Sequence, residues 1–330
     1  MSVYVIAEVG SVHDGSFGNA LHLIDAAAAC GVDAVKFQTH IAEAETTRAA
    51  PMPPYFKGEP RFDYFRRTGF SRTQWGQLCE RCEERGVEFL SSPFSEEAVD
   101  LLEEVGMSRY KIPSGEVTNR PLLEKISQLG KPVLLSSGMS SWQELDAAVH
   151  TVRRHHDQLT LLQCTSEYPV TPAHVGLNVM VEMRERYGLA VGLSDHTVHP
   201  YASLAAVTLG AAVIERHFTF SRLMYGSDAR HSLEPAELAE LVQGIRLVEE
   251  MLGNPVDKCD VSRFGEMKRI FEKSLVAVRP LPAGTVLRRE MLGIKKPGTG
   301  VPAARLDQTI GRRLTRALAE DEVLQEADLA

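Results

Sequence analysis

The chain has 330 residues, 44% of them hydrophobic and 24% charged, so it carries enough apolar material for a sizeable core and is not a disordered chain. At roughly 150 residues per domain the length predicts about two domains, and one large barrel with a small module fits equally well. A formal charge of −8 argues against nucleic acid or an anionic membrane as partner, because both require a basic surface.

Taken in chain order, short runs rich in Val, Ile and Leu alternate with helical stretches, the pattern of βα units and a parallel sheet. The first run, VYVIAEV (3–9), holds no basic residue and is interrupted by Glu8. No secretory signal is therefore expected, and the protein is expected to be cytoplasmic. It precedes a helix over 17–30. DAVKFQ (33–38) precedes a long polar loop and then a helix at about 71–85. VEFLSS (87–92) leads to a helix at 95–105, and RYKI (109–112) to one at about 119–129. PVLLSS (132–137) is followed by SWQE, a capping box with Ser141 at the N-cap and Glu144 at N3, opening a helix to about 154. LTLLQC (159–164), LAVGLS (189–194) and AAVIER (211–216) supply the remaining strands. The uncharged run over 197–214 is broken by Pro200 and Gly210, so a helix and a strand explain it better than a membrane span. A last helix is expected over about 234–252.

Eight such repeats over some 250 residues predict a (β/α)8 TIM barrel, and GSVHDGSFGN after the first strand is not the glycine-rich turn of a doubly wound sheet. From about residue 273 the texture changes to short strands and Pro/Gly turns. The predicted domains are a barrel over 1–255, a linker over 256–272 and a small module over 273–330. Residues 261–330 hold 13 Lys and Arg against 9 Asp and Glu, a mildly basic piece suited to docking on an acidic body. The cysteines, at 30, 79, 82, 164 and 259, form no disulfide framework. Cys79 and Cys82 sit in a charged helix without the second pair that a structural zinc needs.

In a barrel of this kind the active site lies at the carboxyl ends of the strands. Those ends carry Glu8, His13 and Asp14; Lys36 and Gln38; Ser91 and Ser92; Lys111, Ser114 and Glu116; Ser136 and Ser137; Gln163, Thr165, Ser166 and Tyr168; Ser194, Asp195 and His196; and Glu215, Arg216 and His217. His196 and His217, on neighbouring strands, can converge on one divalent cation with positions left open for water and substrate. Lys36 and Lys111, with the hydroxyls of Ser92, Ser114, Ser136 and Ser194, suit an anionic ligand such as a phosphate or carboxylate. Arg216 alternates to the opposite face and suits an ion pair outside the barrel.

The stretches IAEVGSVHDGS, DAVKFQTH, FLSSPFS, YKIPSGE, LLSSGM, CTSEYP, VGLSDHT, IERHFT and KKPGTG resemble, in this order and over nearly the whole chain, the sialic acid synthase family. The resemblance implies a TIM barrel followed by an antifreeze-like (SAF) domain, in a domain-swapped homodimer in which that domain covers the partner's site. It implies condensation of phosphoenolpyruvate with an amino-sugar aldehyde, N-acetylmannosamine or a related hexose, to a nine-carbon sialic-acid-type 2-keto sugar acid and phosphate. By the same resemblance His196 and His217 hold the divalent metal, typically manganese, with magnesium and cobalt as alternatives. Phosphoenolpyruvate meets Lys36, Ser92, Lys111, Ser114, Ser136, Ser166 and Ser194, and the sugar meets Gln38, Tyr168, Asp228 and Lys296. Asp14 is expected near the reacting carbon, and Asp14, Glu215 and Tyr168 are the expected catalytic groups.

The chain departs from the family pattern at Val12, Asp14, Pro113, Ser166 and Lys296, departures that bear on the acceptor more than on the reaction type. Two alternatives stand beside the synthase. A metal-dependent barrel aldolase or isomerase would release no phosphate, and a non-catalytic sugar-binding protein would have no use for a metal pair beside an anion site.

Overall fold

The structure is a computed structural model that describes residues 2–51 and 58–330. The chain divides into two compact units, Met1–Asn254 and Pro255–Ala330. Among the described residues the first unit holds eight strands: β1 (Tyr4–Gly10), β2 (Ala34–Thr39), β3 (Glu88–Pro93), β4 (Tyr110–Ile112), β5 (Val133–Ser136), β6 (Leu159–Cys164), β7 (Ala190–Asp195) and β8 (Val213–His217). Its helices are α1 (Phe17–Ala29), α2 (Ala42–Glu45), α3 (Arg61–Thr68), α4 (Arg72–Glu84), α5 (Glu96–Glu104), α6 (Arg120–Gln128), α7 (Trp142–Arg153), α8 (Leu177–Tyr187), α9 (Tyr201–Thr208) and α10 (Pro235–Gly253).

All strand pairs are parallel, in the order β3, β2, β1, β8, β7, β6, β5, β4. β1 pairs with both β2 and β8, so the two ends of the unit close on each other and the fold is a TIM barrel. Among the described residues no ladder joins β3 to β4. β4 has only three residues, and that short strand leaves the seam. Alternation along each strand builds two apolar layers. Ile6, Ala34, Leu90, Leu134, Leu162 and Val213 plug the barrel interior. Val5, Val35, Leu135, Leu161 and Ile214 face outward onto helix residues such as Leu23, Leu78, Leu123 and Leu241. Cutting a buried leucine in these layers to alanine would cost about 2–5 kcal/mol.

The expected capping box is present on α7, where Ser141 Oγ accepts from the Glu144 amide at 3.3 Å and Glu144 Oε2 accepts from the Ser141 amide at 2.8 Å. The loop expected after β2 differs from expectation, because it carries α2 and α3; part of it, 52–57, lies outside the described residues. All five cysteines are free thiols, with Cys82 packed in the core. Among the described residues no helix is long and apolar enough to cross a membrane.

The second unit opens with α11 (Gly265–Phe271), a helix within the stretch expected to be only a linker. Then come β9 (Ser274–Ala277), antiparallel to β10 (Leu292–Lys295), and α12 (Leu306–Thr309). Isolated bridges such as Leu281 to Leu318 and Leu314 to Leu329 complete a turn-rich module. Its own core gathers Leu275, Leu281, Leu287, Leu292, Val301, Leu314, Leu318 and Leu324.

Candidate active site

The alternation that puts the apolar plug inside the barrel turns the next inward positions toward the carboxyl rim. Glu8, Lys36, Gln38, Ser92, Lys111, Ser136, Cys164, Ser194, Glu215 and His217, with His196 just past β7, line one cavity of roughly 420 Å³. Helix α3 adds Arg61 and Phe65, and the segments that follow the strands add His40, Phe94, Ser114, Ser166, Tyr168 and Asp228.

The floor of the cavity is a buried charge cluster. Lys36 Nζ lies 2.7 Å from Glu8 Oε2 and 3.8 Å from Glu215 Oε2, and donates to Ser92 Oγ at 3.3 Å. Lys111 Nζ donates to Ser136 Oγ at 2.7 Å and lies 3.6 Å from Glu215 Oε1, which also accepts from Ser194 Oγ at 3.0 Å. β1 is in register with β2 at Glu8 and Lys36 and with β8 at Glu8 and His217, which sets the acid between the lysine and the imidazole. Burial works to raise Glu215, but the Lys111 and Lys36 ammonium groups outweigh it and hold the carboxyl at about 2. For Glu8, burial prevails over the pull of Lys36 and raises its pKa. Burial disfavours the Lys36 ammonium, yet Glu215 and Glu8 outweigh it and raise its pKa. Lys111 is lowered, by burial and by the repulsion of Lys36. The cluster therefore offers an anion fixed positive charge and hydroxyl donors in a water-poor setting, beside one carboxyl that can hold a proton.

Two imidazoles stand on the neighbouring wall, His196 and His217, with ring centroids 5.3 Å apart. His196 Nδ1 donates to the Thr165 carbonyl at 3.0 Å, leaving a lone pair on Nε2. Burial and the neighbouring His217 push His196 down to about 3, so it is neutral at physiological pH. His217 Nδ1 is buried and has no hydrogen-bond partner among the described residues. A neutral ring fixed through its other nitrogen and a second ring with an unsatisfied buried nitrogen fit a divalent cation. Among the described residues no group of three or more His, Cys, Asp or Glu could hold an ion. The protein thus offers two nitrogens, and the remaining positions would fall to substrate and water oxygens.

Tyr168 stacks on His196 at 4.4 Å between centroids. Ser114 and Ser166 bring their hydroxyls together over Gly138, where a Cβ would sit 2.5 Å from each oxygen. Asp228 closes over Gly10, whose φ of +55° and whose Cβ position, 2.8 Å from Asp228 Oδ2, both call for glycine.

Not every expected residue joins this cavity. Asp14 does not line it: in the turn beyond Gly10, at φ 52°, its carboxylate pairs with Arg67 at 2.7 Å. Glu8, noted at the strand end but given no role, occupies the cavity instead. Lys296 lies in the second unit, its Nζ 4.8 Å over the Phe271 ring. His13 is buried against Phe70. Arg216 points outward as alternation predicts, pairing with Asp195 at 2.7 Å while 1% exposed. Arg61 and Phe65 escaped the sequence reading because they sit on α3, in a stretch expected to be a loop, and His40 and Phe94 because they lie one residue past the ends of β2 and β3. The Gln-Thr-His run that closes β2 was the available signal for His40.

A family model described as the NeuB family matches residues 23–257, and one described as the SAF domain matches residues 272–330. The N,N'-diacetyllegionaminic acid synthase of Campylobacter jejuni is 37% identical, over 98% of this chain and 98% of its own. The human N-acetylneuraminate-9-phosphate synthase is 35% identical, over 98% and 91%. The crystal structure of an N-acetylneuraminic acid synthetase from Leptospira borgpetersenii, in complex with citrate, superposes with a TM-score of 0.72 at 31% identity, over 81% of this chain and 91% of that one.

Proposed function

The chain belongs to the NeuB family, and from that premise we propose that it joins phosphoenolpyruvate to an amino-sugar aldehyde, giving a nine-carbon 2-keto sugar acid and inorganic phosphate. Its relatives are synthases of the sialic acid type, and so is this enzyme. The observation that carries the reading is one cavity in which two buried lysines and a set of hydroxyls face two imidazoles 5.3 Å apart.

In this reading Lys36, Lys111 and the hydroxyls of Ser92, Ser114, Ser136, Ser166 and Ser194 hold the phosphate and carboxylate of phosphoenolpyruvate. Gln38, Tyr168 and Asp228 orient the acceptor, and Lys296 reaches it from the SAF unit of a second copy in a domain-swapped homodimer. A divalent cation held by His196 and His217, with manganese expected and magnesium or cobalt as alternatives, would supply Lewis-acid polarisation of the aldehyde oxygen. The enol carbon attacks the aldehyde carbon, and that oxygen takes up a proton. Water then adds to the electron-poor carbon and loses a proton, and the C–O bond to phosphate breaks as the ketone forms.

Glu8 is the group suited to move these protons, because it lines the cavity beside Lys36 and burial raises its carboxyl above the ordinary carboxylate range. Glu215, expected from sequence to share that work, is held ionised by two lysines and serves better as their anchor. Tyr168, stacked on His196 with its hydroxyl 3.5 Å from that ring's Nε2, stays both an acceptor contact and an expected catalytic group. Of the departures from the family pattern, Pro113 and Ser166 line the cavity, whereas Val12 is buried and Asp14 is paired elsewhere. With Ser166 on the anion side, Pro113 and Lys296 are the departures that bear on the acceptor, and they favour a relative of N-acetylmannosamine.

The test is phosphate release by purified protein given phosphoenolpyruvate, manganese and a panel of N-acetylmannosamine, its 6-phosphate and diacetamido deoxy-hexoses. Release that depends on one of these sugars is expected. Sugar consumption without phosphate would instead mean an aldolase or isomerase, and inertness toward the whole panel would overturn the reading.

A further inference from the structure

We propose that His40 is a positioning residue that sets which atoms of Gln38 the acceptor sugar meets, an inference that rests on the reading of the cavity given above. Gln38 lines the cavity, and its amide is held at both ends. Nε2 donates to Glu8 Oε1 at 2.7 Å, and Oε1 faces His40 Nε2 at 3.1 Å. With the amide nitrogen committed to a carboxylate, the amide oxygen accepts, so His40 Nε2 carries the proton in that contact.

The imidazole is in turn fixed on every side. Nδ1 meets Glu45 Oε1 at 2.7 Å, and the side chains of His40 and Glu45 are 4% and 5% exposed. Phe65 and Phe94 sandwich the ring at centroid distances of 3.7 and 4.1 Å, nearly parallel to it. This much order around a residue outside the metal and anion groups has one consequence for the site. The carbonyl of Gln38 is engaged by His40, so what its amide has left to offer the cavity is the second N–H. The acceptor must then offer an oxygen lone pair at that point, and Glu8 keeps its place beside Lys36.

The test compares His40→Phe, which keeps the aromatic stack and removes the donor, with His40→Gln, which returns an N–H near the position of Nε2. His40→Phe should raise the KM for the acceptor about 5–10-fold, the worth of one hydrogen bond, and leave the KM for phosphoenolpyruvate within about twofold. His40→Gln should recover most of the loss, and on a Gln38→Ala background His40→Phe should add nothing. Equal damage to both KM values, no rescue by glutamine, or full additivity with Gln38→Ala would overturn the proposal. Should His40→Phe not fold, His40→Met takes its place in the same comparison. A second readout is independent of turnover: the side-chain amide signal of Gln38 in 15N-glutamine-labelled protein should move in the donor-less variant and return in His40→Gln. If no sugar turns over yet that signal responds, the synthase reading falls and the positioning stands; if it does not respond, the positioning itself is refuted.

Discussion

Gly138→Ala should disable the anion site while sparing the fold. A Cβ at this position lies 2.5 Å from both Ser114 Oγ and Ser166 Oγ, and ordinary contact begins at 3.4 Å, so each hydroxyl must retreat by about 0.9 Å or rotate away. Either movement takes two donors out of hydrogen-bond reach of a bound anion. A hydrogen bond to a charged group is worth about 1.5–3 kcal/mol, so the loss is about 3–6 kcal/mol, or roughly 10²–10⁴-fold in kcat/KM for phosphoenolpyruvate. The folded state loses little, because the moving atoms are side-chain ends and alanine restricts the unfolded chain by about 0.4–1 kcal/mol. The assay is phosphate release against phosphoenolpyruvate concentration, paired with a thermal melt. A kcat/KM within threefold of the wild type would refute the placement of those two serines on the substrate.

His217→Ala should abolish turnover and remove the single divalent ion per chain that calorimetry is expected to detect in the wild type; binding and activity that survive both this change and chelation would dismiss the metal role. Asp195→Asn should destabilise the barrel by about 3–5 kcal/mol, because it leaves the guanidinium of Arg216 buried without its countercharge; urea unfolding checks it, and a loss under 1 kcal/mol would contradict it. His13 gives a pH dependence. Burial, aided by His40, pushes it down to about 4, below an ordinary value of about 6.5. The unfolded chain therefore takes up the proton first as pH falls. The stability that neutral His13 contributes is present above about pH 6.5 and is lost progressively toward pH 4, amounting to about 2 kcal/mol between pH 7 and pH 5. His13→Phe, which keeps the packing on Phe70, should flatten that part of the curve in urea unfolding, and an unchanged curve would count against it.

The barrel was legible because its signal is periodic. Each strand is a short apolar run ended by polar residues, and each following helix has its own apolar stripe. The lysines, most of the serines and both histidines were legible for the same reason, since inward alternation and a strand-end position are both read from spacing. Glu8 was visible as a letter but not as a partner. Only the barrel closure, which lays β1 between β2 and β8, brings it against Lys36 and His217. Asp14 misled because a motif does not report where the chain turns: after Gly10 it swings toward Arg67 and leaves the cavity. α2 and α3 were missed because one is four residues long and the other opens at Pro60 without a side-chain cap. His40 depends on two phenylalanines far apart in sequence, a contact no local pattern contains.

The fate of the bridging oxygen of phosphoenolpyruvate tests the central claim most directly. With 18O at that position and an acceptor that turns over, the account predicts the label in inorganic phosphate, one equivalent per sugar consumed. Label retained in the keto acid, or sugar converted with phosphoenolpyruvate untouched, would contradict it.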